Sequence, residues 1–281
     1  SARSAQRFIS KYSMKSNNND ISLDINTYSS LTKEEKAKEY ITKAAKIYDS
    51  KGKEQDTINL LDKSISLYKT SEAYWILAYV NSSLGNTKES IVNYSRAIEL
   101  NKDWGMANIG IAYFNRGLLN SQLKNYYLSI DDFNLAIKQD GANPDFYTSR
   151  CFSKINTRSY RSAIKDCSKA IELKPNHSSV YNYLGMAEMG LKNYSIAIKS
   201  YQKQLLIDPN NKWSNYLIAD AYYSMGDIKN ACSEWLKASS THGNKEAGKK
   251  LSEQCFDFST TKEKQSTSSQ DSSIHPLIEE E

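Results

Sequence analysis

A short sequence pattern recurs along this chain at a nearly constant spacing. Versions of the tetrapeptide Ala-Ile-Glu-Leu begin at Ala97, Ala136, Ala170, Gln204 and Ala238, which lie 39, 34, 34 and 34 residues apart. A related segment begins at Ser64, 33 residues before the first of them. A fixed period of 20 to 50 residues is typical of repeat architectures, in which each unit packs against its neighbours. The chain is therefore expected to be an array of similar units.

Each unit contains two helical stripes of apolar residues, spaced three or four apart and separated by a short polar break. In the unit from Ser178 to Asn211, the first stripe includes Tyr181 and Leu184, the break is Lys192-Asn193, and the second stripe continues beyond it. The whole chain has only four prolines and eleven glycines, which favours helices joined by short turns and excludes an all-β sandwich. Each unit is predicted to be a helical hairpin.

The unit resembles the tetratricopeptide repeat, which has a period of 34, a small residue at position 8 and an aromatic residue at position 17. Six copies are predicted, at residues 38–70, 71–104, 110–143, 144–177, 178–211 and 212–245. Their position 8 residues are Ala45, Ala78, Gly117, Cys151, Gly185 and Ala219. The resemblance implies an all-α, right-handed superhelical solenoid over residues 31–256.

The copies differ from one another in their boundaries and turns. Five residues, Gly105 to Ile109, precede the third copy and are expected to lengthen its first helix. The turn inside each hairpin has Gly52, Gly85, Lys124, Arg158, Lys192 or Gly226 at the position where the family usually has glycine. Thr32, with Glu35 three residues later, predicts the start of the first helix. A polar capping helix is expected at residues 245–255, because a repeat array leaves an apolar edge to be covered.

The two ends of the chain differ from the array in composition and charge. Residues 1–30 are expected to be a disordered basic arm and linker, and residues 257–281 a disordered acidic tail. The arm is interpreted either as the remnant of a targeting sequence or as a flexible basic segment. No apolar run reaches the roughly 20 residues that a membrane-spanning helix needs. A soluble chain is predicted, cytoplasmic by preference, or organellar or exported if the arm is a targeting remnant.

The sequence lacks the common patterns of catalytic and metal sites. Cys151, Cys167, Cys232 and Cys255 form no Cys-x-x-Cys pair and have no histidine at ligand spacing, so buried reduced thiols are expected. Phosphate-binding glycine loops and the His-Glu-x-x-His motif are absent from the sequence. We therefore predict a non-enzymatic protein with no cofactor and no metal site.

In the family that the repeats resemble, positions 2, 5, 9 and 12 of the first helix line the concave face of the array. In this chain those positions are unusually apolar and aromatic, a composition typical of protein-binding surfaces. The expected partner is another protein, bound as a peptide or an amphipathic helix. The predicted groove residues are Trp75, Tyr79, Phe114, Leu118, Phe152, Ile155, Asn182, Met186, Met189, Trp213, Tyr216 and Tyr223.

Several alternatives remain open at this point. Individual groove residues are equally well explained by packing between neighbouring helices. Clamping of a chaperone's terminal carboxylate is disfavoured, because only Asn115 matches the polar set that such domains use. An RNA-binding helical repeat is disfavoured by acidic residues among the groove positions. An assembly factor or co-chaperone for a larger complex would have the same fold, and the segment Ser273–Glu281 is a further candidate occupant of the groove.

Overall fold

The computed structural model describes residues 30–48, 52–105 and 107–255. This part of the chain contains thirteen α-helices and no strand. Two predicted segments lie outside the described residues: the arm at residues 1–30, apart from Ser30, and the tail at residues 257–281. The helices are α1 (Lys33–Tyr48), α2 (Glu54–Leu67), α3 (Ser71–Ser83), α4 (Thr87–Leu100), α5 (Ile109–Gln122), α6 (Tyr126–Gln139), α7 (Pro144–Asn156), α8 (Tyr160–Leu173), α9 (Ser178–Gly190), α10 (Tyr194–Ile207), α11 (Ser214–Ser224), α12 (Ile228–His242) and α13 (Lys245–Gln254).

The helices belong to two compact units, one ending at Thr157 and one beginning at Arg158. In the first unit α1 packs on α2, α3 on α4, and α5 on α6. In the second unit α9 packs on α10, α11 on α12, and α13 on α12. The predicted all-α architecture of helical hairpins is confirmed. The assignment of residues 31–256 to one continuous array stays a prediction.

The small residue at position 8 lets the two helices of a hairpin approach closely. A Cβ atom added to Gly185 would lie 2.4 Å from Cε1 of Tyr201, and one added to Gly117 would lie 2.7 Å from Cε1 of Phe133. Tyr201 and Phe133 are themselves fully buried. These aromatic rings therefore occupy the space that the missing side chains leave, as interiors at crystal-like packing density require.

The turn inside each hairpin has a left-handed residue whether or not that residue is glycine. The backbone φ is 80° at Gly85, 62° at Lys124 and 62° at Lys192. The residue that follows donates its N–H to the carbonyl five positions back, for example Asn193 to Glu188 at 2.9 Å. This is the Schellman arrangement that closes helices, and it requires the left-handed conformation. The turn geometry is therefore conserved among the copies while the glycine is not.

The first helix begins where the sequence predicts. Thr32 Oγ1 accepts the N–H of Glu35 at 3.2 Å, and Glu35 Oε2 accepts the N–H of Thr32 at 2.8 Å. This reciprocal pair is a capping box, which satisfies N–H groups that have no partner inside the helix. The hydrogen bonds from Thr32 hold the pKa of the Glu35 carboxyl below its ordinary value.

The insertion before the third repeat does not lengthen a helix, so that prediction is wrong. Helix α5 begins only at Ile109, and the backbone is left-handed at Asn101, Asp103 and Gly105 before it. Asn108 then caps α5 by accepting the N–H of Ile111 at 2.8 Å. The left-handed backbone at Gly105 and the cap at Asn108 are both incompatible with a helix that continues from Gly105 into α5.

The prediction of reduced cysteines is also wrong. Cys232 on α12 forms a disulfide with Cys255, which follows α13, and their Cα atoms are 5.9 Å apart. Cys151 and Cys167 are disulfide-bonded as well, so the described part of the chain has no free thiol. Sequence spacing cannot reveal such bonds, because helix packing rather than chain distance brings the two Cα atoms within bridging range.

Candidate functional site

The second unit carries half of the predicted groove residues, on or immediately before the first helices of two successive hairpins. We call this set the concave strip, after the face on which the sequence predicts it: Asn182, Met186, Met189, Trp213, Tyr216 and Tyr223. Met186 and Met189 of α9 pack against a core cluster that includes Ile218 and Ala221 of α11. The two helices that carry the strip therefore share one core. Asn182, Met186, Met189 and Tyr216 are half-buried, while Trp213 and Tyr223 are exposed.

Asn211 positions the most exposed member of the strip. Its Oδ1 accepts the backbone N–H groups of Trp213 and Ser214, both at 3.1 Å, immediately before α11 begins. The buried hydroxyl of Ser214 donates to Gln204 Oε1 at 3.1 Å, which ties this corner to α10. The Trp213 side chain remains 55% exposed and contacts the Tyr216 ring edge to face, with centroids 6.0 Å apart. A rigid backbone thus presents a large aromatic surface to solvent.

A polar centre lies beside this aromatic pair. Asp220 Oδ1 accepts the indole N–H of the buried Trp235 at 3.1 Å, and the carboxylate is also hydrogen-bonded to Tyr216. Burial raises the pKa of Asp220, against the opposing effect of these two hydrogen bonds and of Lys250. Burial also raises the pKa of Tyr216. Asp220, the acidic residue of α11 beside the strip, is therefore already hydrogen-bonded within the protein.

Helix α13 forms the edge of the strip. The Tyr223 hydroxyl donates to Gln254 Oε1 at 2.7 Å. The ammonium of Lys250 lies 5.8 Å from the Tyr223 ring centroid and 5.9 Å from that of Trp235, within cation–π range. The contribution of α13 to this surface was not predicted from the sequence, which indicated only a cap. Lys250 and Gln254 do not follow the repeat pattern, so the sequence does not indicate that they contact the strip.

In the first unit most of the predicted groove residues are buried. Trp75 is 1% exposed and its ring stacks on that of Tyr79, at 6.1 Å between centroids. Tyr48 contacts Tyr79 edge to face at 5.7 Å. Both Trp75 and Tyr79 belong to a core cluster against which Trp104 also packs. These two rings act in packing in this structure, in line with the alternative that the sequence left open.

The remaining predicted residues of the first unit show the same trend. Phe114 is buried between Phe133 and Phe146, with ring centroids 5.8 and 4.7 Å away. Ile155 is buried, whereas Leu118 and Phe152 are half-buried, and the Phe152 ring lies 6.3 Å from that of Tyr126. The first unit therefore offers much less exposed aromatic surface at the predicted positions than the second.

Residues 101–105, which precede α5, contribute to this burial through Trp104, and sequence reasoning missed this contribution. The carbonyls of Lys102 and Asp103 accept the N–H groups of Ser71 and Glu72 at 2.9 and 3.3 Å, at the start of α3. A Cβ atom on Gly105 would overlap the Glu72 carboxylate, so the loop lies directly against α3. The residues Asn101, Asp103 and Gly105 are a recognisable loop signal, but they do not indicate which helix the loop covers.

Two other kinds of site find no support among the described residues. Asn115, the single match to the carboxylate-clamp pattern, donates its side-chain N–H to Tyr94 Oη at 3.2 Å and so is engaged in packing. The described residues bring together no group of His, Cys, Asp and Glu side chains with the arrangement of a metal site. Within the same residues, no helix has the length and apolar character needed to cross a membrane.

Comparison with known proteins bears directly on the repeats. Residues 71–103, 111–143 and 178–211 match the family profile of the tetratricopeptide repeat. The chain carries tetratricopeptide repeats. The three matched segments are the second, third and fifth of the six predicted copies, and the hairpins α3–α4, α5–α6 and α9–α10 fall within them. No curated protein matches the sequence.

Solved structures of tetratricopeptide-repeat proteins resemble this one. MamA from Desulfovibrio magneticus RS-1, from residue 41 onward, is 16% identical with a TM-score of 0.56, over 63% of this chain and 97% of that solved chain. YrrB, described as a tetratricopeptide-repeat protein with an unusual peptide-binding site, is 19% identical with a TM-score of 0.56, over 66% and 94%. A chain of the Cut9–Hcn1 assembly of the APC/C is 18% identical with a TM-score of 0.59, over 79% of this chain and 43% of its own length. At these identities the likeness shows the fold alone.

Proposed function

We propose that this protein is an interaction scaffold that binds a peptide or an amphipathic helix of another protein on the concave strip of its second unit. The observation that carries the proposal is Trp213, a 55% exposed tryptophan fixed by Asn211 and supported by the Tyr216 ring. Tryptophan and tyrosine dominate the energetics of protein interfaces when a rigid backbone presents them. The repeat fold is consistent with protein binding in general, and the strip is the surface that we propose for it.

The chemistry of the strip favours a ligand with bulky apolar side chains. Met186 and Met189 are flexible and polarizable, so they adapt to apolar groups of different shape. Tyr223 adds an exposed aromatic ring with a polar hydroxyl. Asp220 is already engaged by Trp235 and Tyr216, so it offers little to a cationic ligand. A helix or extended segment that inserts an apolar side chain beside Trp213 fits these properties best.

An affinity measurement on the full chain tests this proposal. A peptide is first selected from a random library on the wild-type protein, and its Kd is compared with that for Trp213→Ala. Loss of a central aromatic contact is expected to weaken binding by roughly 30-fold, equivalent to about 2 kcal/mol. Circular dichroism checks that the variant retains its helices.

The matched control is Leu206→Ala, because Leu206 is 73% exposed on α10 but lies outside the strip. The control should leave the affinity unchanged. Equal affinities for wild type and Trp213→Ala would contradict the proposed site. Tight binding of single-stranded RNA with a steep salt dependence would instead support the RNA-binding alternative.

A further inference from the structure

The cysteines of this protein occupy two very different environments. Cys151 and Cys167 are disulfide-bonded and 0% exposed. Cys232 and Cys255, which are bonded to each other, are both half-buried. Thiol–disulfide exchange requires a thiolate to reach a sulfur atom, so access decides which disulfides react under native conditions. Of the two environments, the second is the more accessible to an external thiol.

The accessible disulfide holds a weakly anchored element. Helix α13 has ten residues, and Ala247 is the one that is fully buried. Leu251 and Cys255 pack against the cluster around Trp235, and Gln254 accepts the Tyr223 hydroxyl. Isolated helices of this length are unstable in water, so α13 depends on its attachments. The disulfide attaches its C-terminal end to α12.

We propose that Cys232–Cys255 is a thiol–disulfide exchange site that controls the docking of α13. The co-reactant is a dithiol reductant, either a small molecule or a protein with a paired-cysteine centre. Its thiolate attacks one sulfur of the bond, the Cys–Cys bond breaks, and a mixed disulfide forms. The second thiol of the reductant then displaces the remaining cysteine. The chain gains two electrons and two protons as two thiols, and the reductant leaves as a disulfide.

Reduction opens a covalent loop whose two cysteines are 23 positions apart in the sequence. Loss of that constraint leaves α13 held only by its side-chain contacts and by its N-terminal cap, in which Asn244 accepts the N–H of Ala247 at 3.0 Å. Undocking of α13 uncovers Trp235 and the side of Tyr223 that faces Gln254. Because Tyr223 belongs to the concave strip, the redox state also changes the binding surface, a consequence that rests on the proposed function.

Differential alkylation of the native full chain tests the exchange site directly. The protein is incubated with increasing dithiothreitol, free thiols are blocked with iodoacetamide, and the labelled cysteines are identified by mass spectrometry. We expect Cys232 and Cys255 to be labelled at reductant concentrations at which Cys151 and Cys167 remain protected. Labelling of all four cysteines at one concentration, or of Cys151 and Cys167 first, would overturn the proposal.

Hydrogen exchange tests the effect on α13. After selective reduction, the amides of residues 245–254 should exchange on the order of 100-fold faster, as the loop-closure contribution of a disulfide of this span predicts. The double variant Cys232→Ser, Cys255→Ser should show the same acceleration without reductant. Unchanged exchange in both samples would show that the disulfide does not control docking.

The peptide from the library selection separates this proposal from the proposed function. Accelerated exchange in α13 together with a changed peptide affinity supports both. Accelerated exchange with a Trp213→Ala variant that binds normally supports the exchange site and contradicts the concave strip as the binding surface.

Discussion

At the scale of single residues, the repeat period predicts backbone geometry better than it predicts surface exposure. Position 8 has to be small and the hairpin turn has to be left-handed, because both follow from the close approach of two helices. The exposure of Trp75 and Tyr79 could not be predicted in the same way. Their repeat positions indicate which face of α3 they lie on. They do not indicate that Trp104 and Tyr48 pack against the core cluster to which both rings belong.

The left-handed lysines are a residue-scale test of the turn geometry. Lys124→Gly and Lys192→Gly should each raise the free energy of unfolding by about 0.5–1 kcal/mol, because a side chain in this conformation costs more than the added flexibility of glycine. Lys199→Gly, in the middle of α10, should instead lower it by about 1 kcal/mol. Urea denaturation measures all three. Destabilisation by Lys192→Gly would contradict the turn geometry.

The close packing at position 8 makes an opposite prediction for Gly185. Gly185→Ala should lower the free energy of unfolding by about 1–3 kcal/mol, because the new methyl group overlaps the buried Tyr201 ring. Gly141→Ala is the control, since its Cβ would meet neighbouring atoms only at ordinary distances, 3.7 Å or more. That control should change stability by less than about 0.5 kcal/mol. Equal melting temperatures of wild type and Gly185→Ala would show that α9 and α10 do not pack as closely around Gly185 as the structure indicates.

At the scale of helices, hairpins are held by specific polar contacts as well as by apolar packing. Arg116 of α5 donates through Nε and Nη2 to both carboxylate oxygens of the buried Asp132 of α6, and Asn120 also donates to this carboxylate at 3.1 Å. Arg116 also donates to Ser95 of α4 at 2.9 Å. This network joins three consecutive helices. Sequence analysis indicated the hairpin from its apolar stripes, but not this pairing, which depends on where one helix lies along another.

Asp132→Asn tests the network. Loss of the carboxylate leaves Arg116 without its charged partner and should lower the free energy of unfolding by about 3 kcal/mol. Asp131→Asn changes the exposed neighbouring residue and should cost less than about 0.5 kcal/mol. Chemical denaturation followed by circular dichroism compares the two. Similar losses in both variants would show that the network adds nothing beyond the general effect of charge.

At the scale of the whole molecule, the sequence predicted the repeat class, the hairpins and the first helix start. It did not predict that residues 101–105 pack against the start of α3, and it did not predict the disulfides. Periodicity reports contacts that recur in every copy, and these features do not recur at the repeat spacing. Of the twelve predicted groove residues, Trp213 and Tyr223 of the second unit are exposed, and burial of the others depends on contacts that the period does not report.

The most direct measurement of that surface is hydrogen exchange of the full chain with and without the selected peptide. Binding on the concave strip should slow exchange in α9 and α11 and leave α6 and α10 unchanged. Slower exchange confined to α10 and α12, around the exposed Leu206 and Leu236, would place the partner on the opposite helices and contradict the account.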